Sequence, residues 1–232
     1  MPFFIKLTIL QTLSDMKLPF KIVKFLLNTV AIRTFLVFVL IQMSFTGVVF
    51  ALLPTNVSVT ATGGTFLSKT YNSLAAAITA INTGGIHTGV INIKINASLA
   101  EGAGTITINA NSSPASYTSI TIYPTVDALT ITGSNVNALL DLSGATNVTI
   151  DGRVNKTGTT KSLTIQNTNS LAKATIRFTN DASSNTVKYC TIQGTSSSSS
   201  GILFFSIGLT NGNNSNIIDN NNITNLSTSP RP

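Results

Sequence analysis

Two stretches of this chain share one design at a separation of 31 residues. The first is Asn185-Thr186-Val187-Lys188-Tyr189-Cys190-Thr191-Ile192, and the second is Asn216-Ile217-Ile218-Asp219-Asn220-Asn221-Asn222-Ile223. Each follows a serine, Ser184 or Ser215. Recurrence at a fixed period is the mark of a stacked architecture, in which each repeat buries its apolar residues against the next. The pattern predicts Val187 over Ile218 and Ile192 over Ile223. Asn185 should lie over Asn216, and Cys190 over Asn221.

The sequence between residues 90 and 178 supports the same class. Val90-Ile91-Asn92-Ile93-Lys94-Ile95 alternates from Ile91 onward. Short β-branched runs follow, centred on Ile106, Ile120, Ile131, Leu140, Val148, Ile165 and Ile176. Gly, Asn, Ser, Asp or Pro bounds nearly all of them, as expected of strands. Many short strands argue for an all-β protein. Asp151-Gly152 is the one candidate for a two-residue hairpin loop between matched strands, and no mirror strand follows it. A parallel β-helix fits better than a sandwich. Its strands pair with their equivalents one coil away, and Asn at the turns accepts left-handed backbone and bonds the coils above and below. Coils of roughly 20 to 30 residues predict about seven coils at ~4.8 Å spacing, a stack some 30 to 35 Å long. The serine run at residues 196–200 and Asn211-Gly212-Asn213-Asn214 read as solvated loops at coil corners.

One segment breaks the period of two. In residues 72–83, Leu74, Ala77, Ile78 and Ile81 fall on one helical face. Asn72 or Ser73 can accept the first free N–H groups. Gly84 and Gly85 can take the left-handed conformation that ends the helix.

Residues 1–51 have another composition. Lys6, Lys17, Lys21, Lys24 and Arg33, with Asp15 the sole acid, precede an uncharged run at residues 34–51 that ends in small side chains at Val49 and Ala51. This is the order of a secretory signal peptide, with cleavage after Ala51. An uncleaved anchor over residues 34–53 is the alternative, and it is the one route to a membrane. Basic residues ahead of the apolar run place the remainder outside in both cases, so the protein is expected to be secreted or at the cell surface. Residues 52–232 then form one domain. The leader carries +4 of the net charge of +7. The remaining basic residues are scattered without interleaved aromatics, which argues against nucleic acid. Cys190, the single cysteine, cannot form an internal disulfide and reads as a small buried ladder residue.

Two blocks carry a family resemblance. Ser73-Leu74-Ala75-Ala76-Ala77-Ile78 ahead of Gly84-Gly85 resembles the N-terminal cap of right-handed parallel β-helices of the pectin-lyase-like kind. Residues 174–187, with Val148-Thr149-Ile150-Asp151-Gly152-Arg153 before them and Gly201-Ile202-Leu203-Phe204-Phe205-Ser206 after, resemble large secreted bacterial β-helix repeat proteins. The resemblance covers about residues 65–226. It implies a right-handed β-helix and export with a type IX sorting domain. A long regular face covered with Thr, Ser and Asn would offer hydroxyls and amides to an extracellular polysaccharide or cell-surface glycan as partner. The chain departs from that pattern after Asn222-Ile223, where neither capping element nor sorting domain follows. The expectation is a fragment, whose partners would include the remaining coils.

Chemistry is sparse. The exported part holds Glu101, Asp127, Asp141, Asp151, Asp181 and Asp219, none adjacent to another acid. Polysaccharide lyases of the resembled kind use clustered Asp ligands for calcium and a nearby Arg or Lys as base. The hydrolases use close Asp pairs. Asp141, Asp151 and Arg153 are the residues that would form such a site, by approach across neighbouring coils. Calcium is implied under that reading alone. The competing reading of Asp151-Gly152 is a turn in which the carboxylate bonds its own backbone. His87 is the sole histidine, and with one cysteine the chain offers no His/Cys metal set. Two functions stand: a structural, adhesive or glycan-binding surface protein without a catalytic constellation or cofactor, and a polysaccharide lyase or glycoside hydrolase.

Overall fold

The computed structural model describes residues 56–226 apart from 173, 196–200 and 207. The predicted leader at residues 1–51 and the serine run at 196–200 lie outside the described residues. The chain divides into two units, residues 1–52 and 53–232, and the fold below belongs to the second.

That unit is an all-β parallel solenoid of about four turns. It opens with β1 (Val57–Gly63) and β2 (Ser68–Tyr71), then helix α1 (Leu74–Asn82). The first coil holds β3 (Thr88–Ile95), β4 (Leu99–Ala100) and β5 (Ile106–Asn109). The second holds β6 (Tyr117–Pro124), β7 (Leu129–Gly133) and β8 (Ala138–Ser143), and the third β9 (Val148–Asp151), β10 (Leu163–Asn167) and β11 (Ala174–Thr179). The fourth holds β12 (Thr186–Lys188), β13 (Cys190–Gly194) and β14 (Leu203–Phe205). β15 (Ile217–Asp219) and β16 (Asn222–Asn225) begin a further turn. Corresponding strands stack into three sheets, here A (β2-β1-β3-β6-β9-β12-β15), B (β4-β7-β10-β13-β16) and C (β5-β8-β11-β14).

Alternation inside each strand produces the core. Ile93, Ile122, Ile150, Val187 and Ile218 form one apolar ladder in sheet A. Ile131, Ile165, Ile192 and Ile223 form the ladder of sheet B. Ile106, Leu140, Ile176 and Leu203 form that of sheet C, where Phe178 also stacks on Phe205 at 4.5 Å. Each fully buried aliphatic side chain contributes about 1.5–3 kcal/mol of transfer free energy. The bore therefore holds the three short-stranded sheets together, because among the described residues none has a second sheet on its outside.

The predicted repeat register is observed. Val187 pairs with Ile218, and Ile192 with Ile223. The Asn185 backbone N–H and Nδ2 both donate to Asn216 Oδ1 at 3.0 Å, and the Cys190 N–H donates to Asn221 Oδ1 at 2.9 Å. Both serines ahead of the motif are left-handed, Ser184 at φ 56° and Ser215 at φ 55°. Asn147, one coil earlier, has φ 57°. This corner recurs because a left-handed residue turns the chain sharply from the end of sheet C into sheet A.

Coil length differs from the expectation. Ile91 pairs with Ile120, Ile122 with Ile150, Ile150 with Val187 and Val187 with Ile218, so successive coils take 29, 28, 37 and 31 residues. Longer coils give about four turns rather than seven. The long third coil contains the excursion after Asp151, with a single 3-10 turn at Val154–Lys156.

The start of the solenoid is closed. Ser73 Oγ accepts from Ala76 N at 3.1 Å, and Gly84 and Gly85, at φ 78° and 72°, end α1. Its buried face, Leu74, Ala77, Ile78 and Ile81, covers the first coil. β1 and β2 extend sheet A antiparallel beyond that coil and were not foreseen.

Candidate functional site

Side chains at alternate strand positions point out of the bore, so each sheet presents one outer face. The three faces differ in charge, and the predicted site residues fall on two of them.

On sheet A, Asp151 stands in file with Lys188 and Asp219. Asp151 is 2 % exposed. Its carboxylate accepts from Arg153 Nε at 2.8 Å, Arg153 Nη2 at 2.7 Å and the Arg153 backbone N–H at 3.2 Å, with Lys188 Nζ at 3.6 Å. Burial pushes this carboxyl up, but the Arg153 bonds and the Lys188 charge outweigh it and hold the group below its ordinary value. Arg153 is correspondingly raised, chiefly by its bond to Asp151. The guanidinium lies 4.5 Å from the Tyr189 ring. Gly152 has no alternative, because a Cβ there would overlap the Tyr189 carbonyl oxygen. The backbone bond from Arg153 to Asp151 matches the turn reading of Asp151-Gly152.

On sheet C, Asp141 stands in file with Thr107 and Arg177. It accepts from Arg177 Nη2 at 2.6 Å and Thr179 Oγ1 at 3.0 Å. The fold brings Asp151 and Arg153 together and places Asp141 in another sheet with a different arginine. Asp151, held ionised by the bidentate Arg153 guanidinium, has no proton to donate, and Arg153, raised by that pairing, takes none. Both pairs act as clasps, one within a corner and one between coils.

Among the described residues, the outward strand positions of sheet B carry no charge. One column is Thr130, Thr164, Thr191 and Asn222, and the next is Thr132, Gln166, Gln193 and Thr224. The first six of these threonine and glutamine positions are partly exposed, and Asn222 and Thr224 are exposed. Thr132 Oγ1 donates to Gln166 Oε1 at 3.3 Å, and Gln166 Nε2 to Gln193 Oε1 at 3.5 Å. A regular face of Thr, Ser and Asn was expected from the sequence, but not which sheet carries it. Its signal was the recurring Leu-Thr-Ile-Thr, Leu-Thr-Ile-Gln and Cys-Thr-Ile-Gln at residues 129–132, 163–166 and 190–193.

Other polar side chains are committed to the scaffold. His87 Nδ1 lies 2.7 Å from the Phe66 carbonyl oxygen, to which it must donate, so Nε2 accepts from Tyr71 Oη at 2.7 Å. Burial lowers the affinity of His87 for a second proton. Glu101 accepts from the Leu74 and Ala75 N–H groups at 2.6 and 3.2 Å and caps α1 from the first coil. Cys190 is buried, and burial, with the Asp151 charge added, pushes its thiol far up. Asp181 accepts from the N–H groups of Leu209, Thr210, Asn211 and Gly212, so the polar loop is fastened to the coil below rather than solvated throughout. A cleft of about 160 Å³ between α1 and β5 is lined by Ala75, Ile78, Thr79, Asn82, Thr105, Ile106 and Thr107, none titratable. Among the described residues, no three His, Cys, Asp or Glu side chains gather as a metal site, and no helix is long and apolar enough to cross a membrane.

These features define a parallel β-solenoid whose ion pairs are internal clasps and whose sheet B presents an uncharged polar array. No protein-family model, curated protein or solved structure matches this chain.

Proposed function

We propose that this chain is an exported β-solenoid of the kind found in pectin-lyase-like and type IX-secreted repeat proteins, acting as a structural or adhesive element that holds a glycan at the cell surface. Export rests on the basic and then apolar order of residues 1–51. The observation that carries the binding role is the commitment of both outward carboxylates of the third and second coils. Asp151 and Asp141 are each closed by an arginine, while Thr, Gln and Asn side chains stay on the surface. Hydroxyls and amides both donate and accept, which matches the hydroxyls of a sugar.

The test is incubation of the secreted protein with a panel of immobilised plant, algal and bacterial polysaccharides. Capture without release of oligosaccharides supports the reading. Cleavage that Asp151→Asn abolishes would establish the lyase or hydrolase reading instead.

A further inference from the structure

We infer that the outer face of sheet B is the binding surface, and that its ligand is an extended, uncharged polysaccharide lying along the solenoid axis. This rests on the glycan-binding reading above and specifies its face and ligand class.

Charge selects the ligand. Sheet A carries Lys94, Asp151, Lys188 and Asp219 on outward positions, and sheet C carries Asp141 and Arg177. The eight outward positions of β7, β10, β13 and β16 hold four threonines and two glutamines through Gln193, then Asn222 and Thr224. Charged residues make up 9 % of the chain, and among the described residues those at outward strand positions fall on sheets A and C, none on B. A polyanion such as a uronide or nucleic acid would find no counter-charge here and would lose hydration on docking.

Geometry selects the form of the ligand. Rungs of the array repeat at about 4.8 Å and the two columns stand about 6.7 Å apart, twice the rise per residue. The array is a lattice, and in one of its two columns the side chains are held in file by the Thr132–Gln166–Gln193 hydrogen bonds. A surface that repeats can use all of its rungs only on a partner that repeats at a similar interval. One sugar unit of an extended β-1,4-linked pyranose chain, in which alternate units are turned over, advances by roughly one rung. Successive hydroxyls could therefore meet successive Thr, Gln and Asn groups without bending the chain. A globular protein has no such period. β10 packs against β7 and β13 in its own sheet and against β8 and β11 across the bore, which leaves its outer side chains partly exposed.

Affinity electrophoresis of the full chain tests this, with hydroxyethyl cellulose and mixed-linkage β-glucan as neutral probes and polygalacturonate as the acidic one. The neutral probes should retard the protein and polygalacturonate should not. Thr164→Lys and Thr191→Lys should each weaken retardation at least tenfold, and Thr164→Ser should keep it. Thr149→Lys, which adds the same charge to sheet A in the same coil, should change it less than twofold. Thermal unfolding of each variant separates lost binding from lost fold. Retardation by polygalacturonate alone would overturn this inference and leave glycan binding standing. Equal losses from Thr164→Lys and Thr149→Lys would do the same for the face. Retardation by no polysaccharide would remove both, and inhibition of ice growth by that protein would assign the lattice to ordered water.

Discussion

Asn185 is the residue on which the coil-to-coil account can be tested most severely. It is fully buried, and its side chain bridges three levels of the solenoid. Oδ1 accepts from Val148 N at 2.9 Å in the coil below, and Nδ2 donates to Ala145 O at 2.8 Å and to Asn216 Oδ1 at 3.0 Å in the coil above. Asn185→Ala removes all three bonds and leaves Val148 N and Ala145 O facing a methyl group. At roughly 1 kcal/mol per buried neutral bond, the loss is about 3 kcal/mol. For a unit of this size that corresponds to a fall of roughly 6–12 °C in Tm. Asn216 makes a comparable set, accepting from Asn185 N at 3.0 Å and donating to Ala182 O at 2.8 Å, but it is partly exposed. Water can replace its partners, so Asn216→Ala should cost only about 1 kcal/mol. Asn185→Asp keeps the shape, removes the donors and buries a charge, so it should cost at least as much as alanine. Urea unfolding followed by circular dichroism gives all three values. A loss at Asn185 within 0.5 kcal/mol of that at Asn216 would refute the claim that the buried amide ties the coils together.

Three further outcomes follow from the geometry. The Cys190 thiol should stay unmodified by a thiol reagent in the folded protein and react fully in denaturant, because it is buried and its thiolate is disfavoured. Reaction at the rate of a free thiol would contradict the ladder position. Asp181 has a lowered carboxyl, since burial raises it less than the Asn211, Thr210, Leu209 and Gly212 N–H bonds lower it. Its hold on the loop is complete above the ordinary carboxyl value and lost as pH falls through the lowered one, so amides 209–212 should be protected from exchange near neutrality and released in acid. Protection unchanged by Asp181→Ala would disprove the fastening. His87 is lowered chiefly by burial, so below its ordinary value of about 6.5 the unfolded chain takes up the proton first and stability declines as pH falls. Its single imidazole resonance should titrate below that value by NMR, and a higher midpoint would be inconsistent with the buried neutral ring.

The parts legible in sequence are those whose partners repeat. Val187 and Ile218 could be matched because both sit two residues after an asparagine, and the asparagine recurs because its amide bonds chain segments on both sides. α1 was legible because Ser73, Gly84 and Gly85 are local signals, and observed bounds of Leu74–Asn82 fall inside residues 72–83. Partners at irregular separations were hidden. Asp141 and Arg177 lie 36 residues apart, across a coil enlarged by the excursion after Asp151, so no 31-residue period leads from one to the other. Seven coils were expected where about four exist because residues 57–82 belong to the cap and every coil takes 28 residues or more. Glu101 caps α1 from 27 residues away, and nothing near it in sequence marks it as a cap. β2 was missed because Ser68, Lys69 and Thr70 are exposed and carry no apolar alternation. The uncharged face needed both facts together: the identity of outward residues, which sequence gives, and their register, which only the stacked strands give.

Engineered cross-linking tests the central claim, the in-register parallel stack, most directly. Thr164 and Thr191 are ladder partners on sheet B, so cysteines there stand one strand spacing apart, about 4.8 Å and within disulfide reach. Thr164→Cys with Thr191→Cys should form an intramolecular disulfide nearly quantitatively under mild oxidation. Thr164→Cys with Asn222→Cys, two rungs apart at roughly 9.6 Å, should form none. A bond in the second pair, or its absence in the first, would contradict the solenoid.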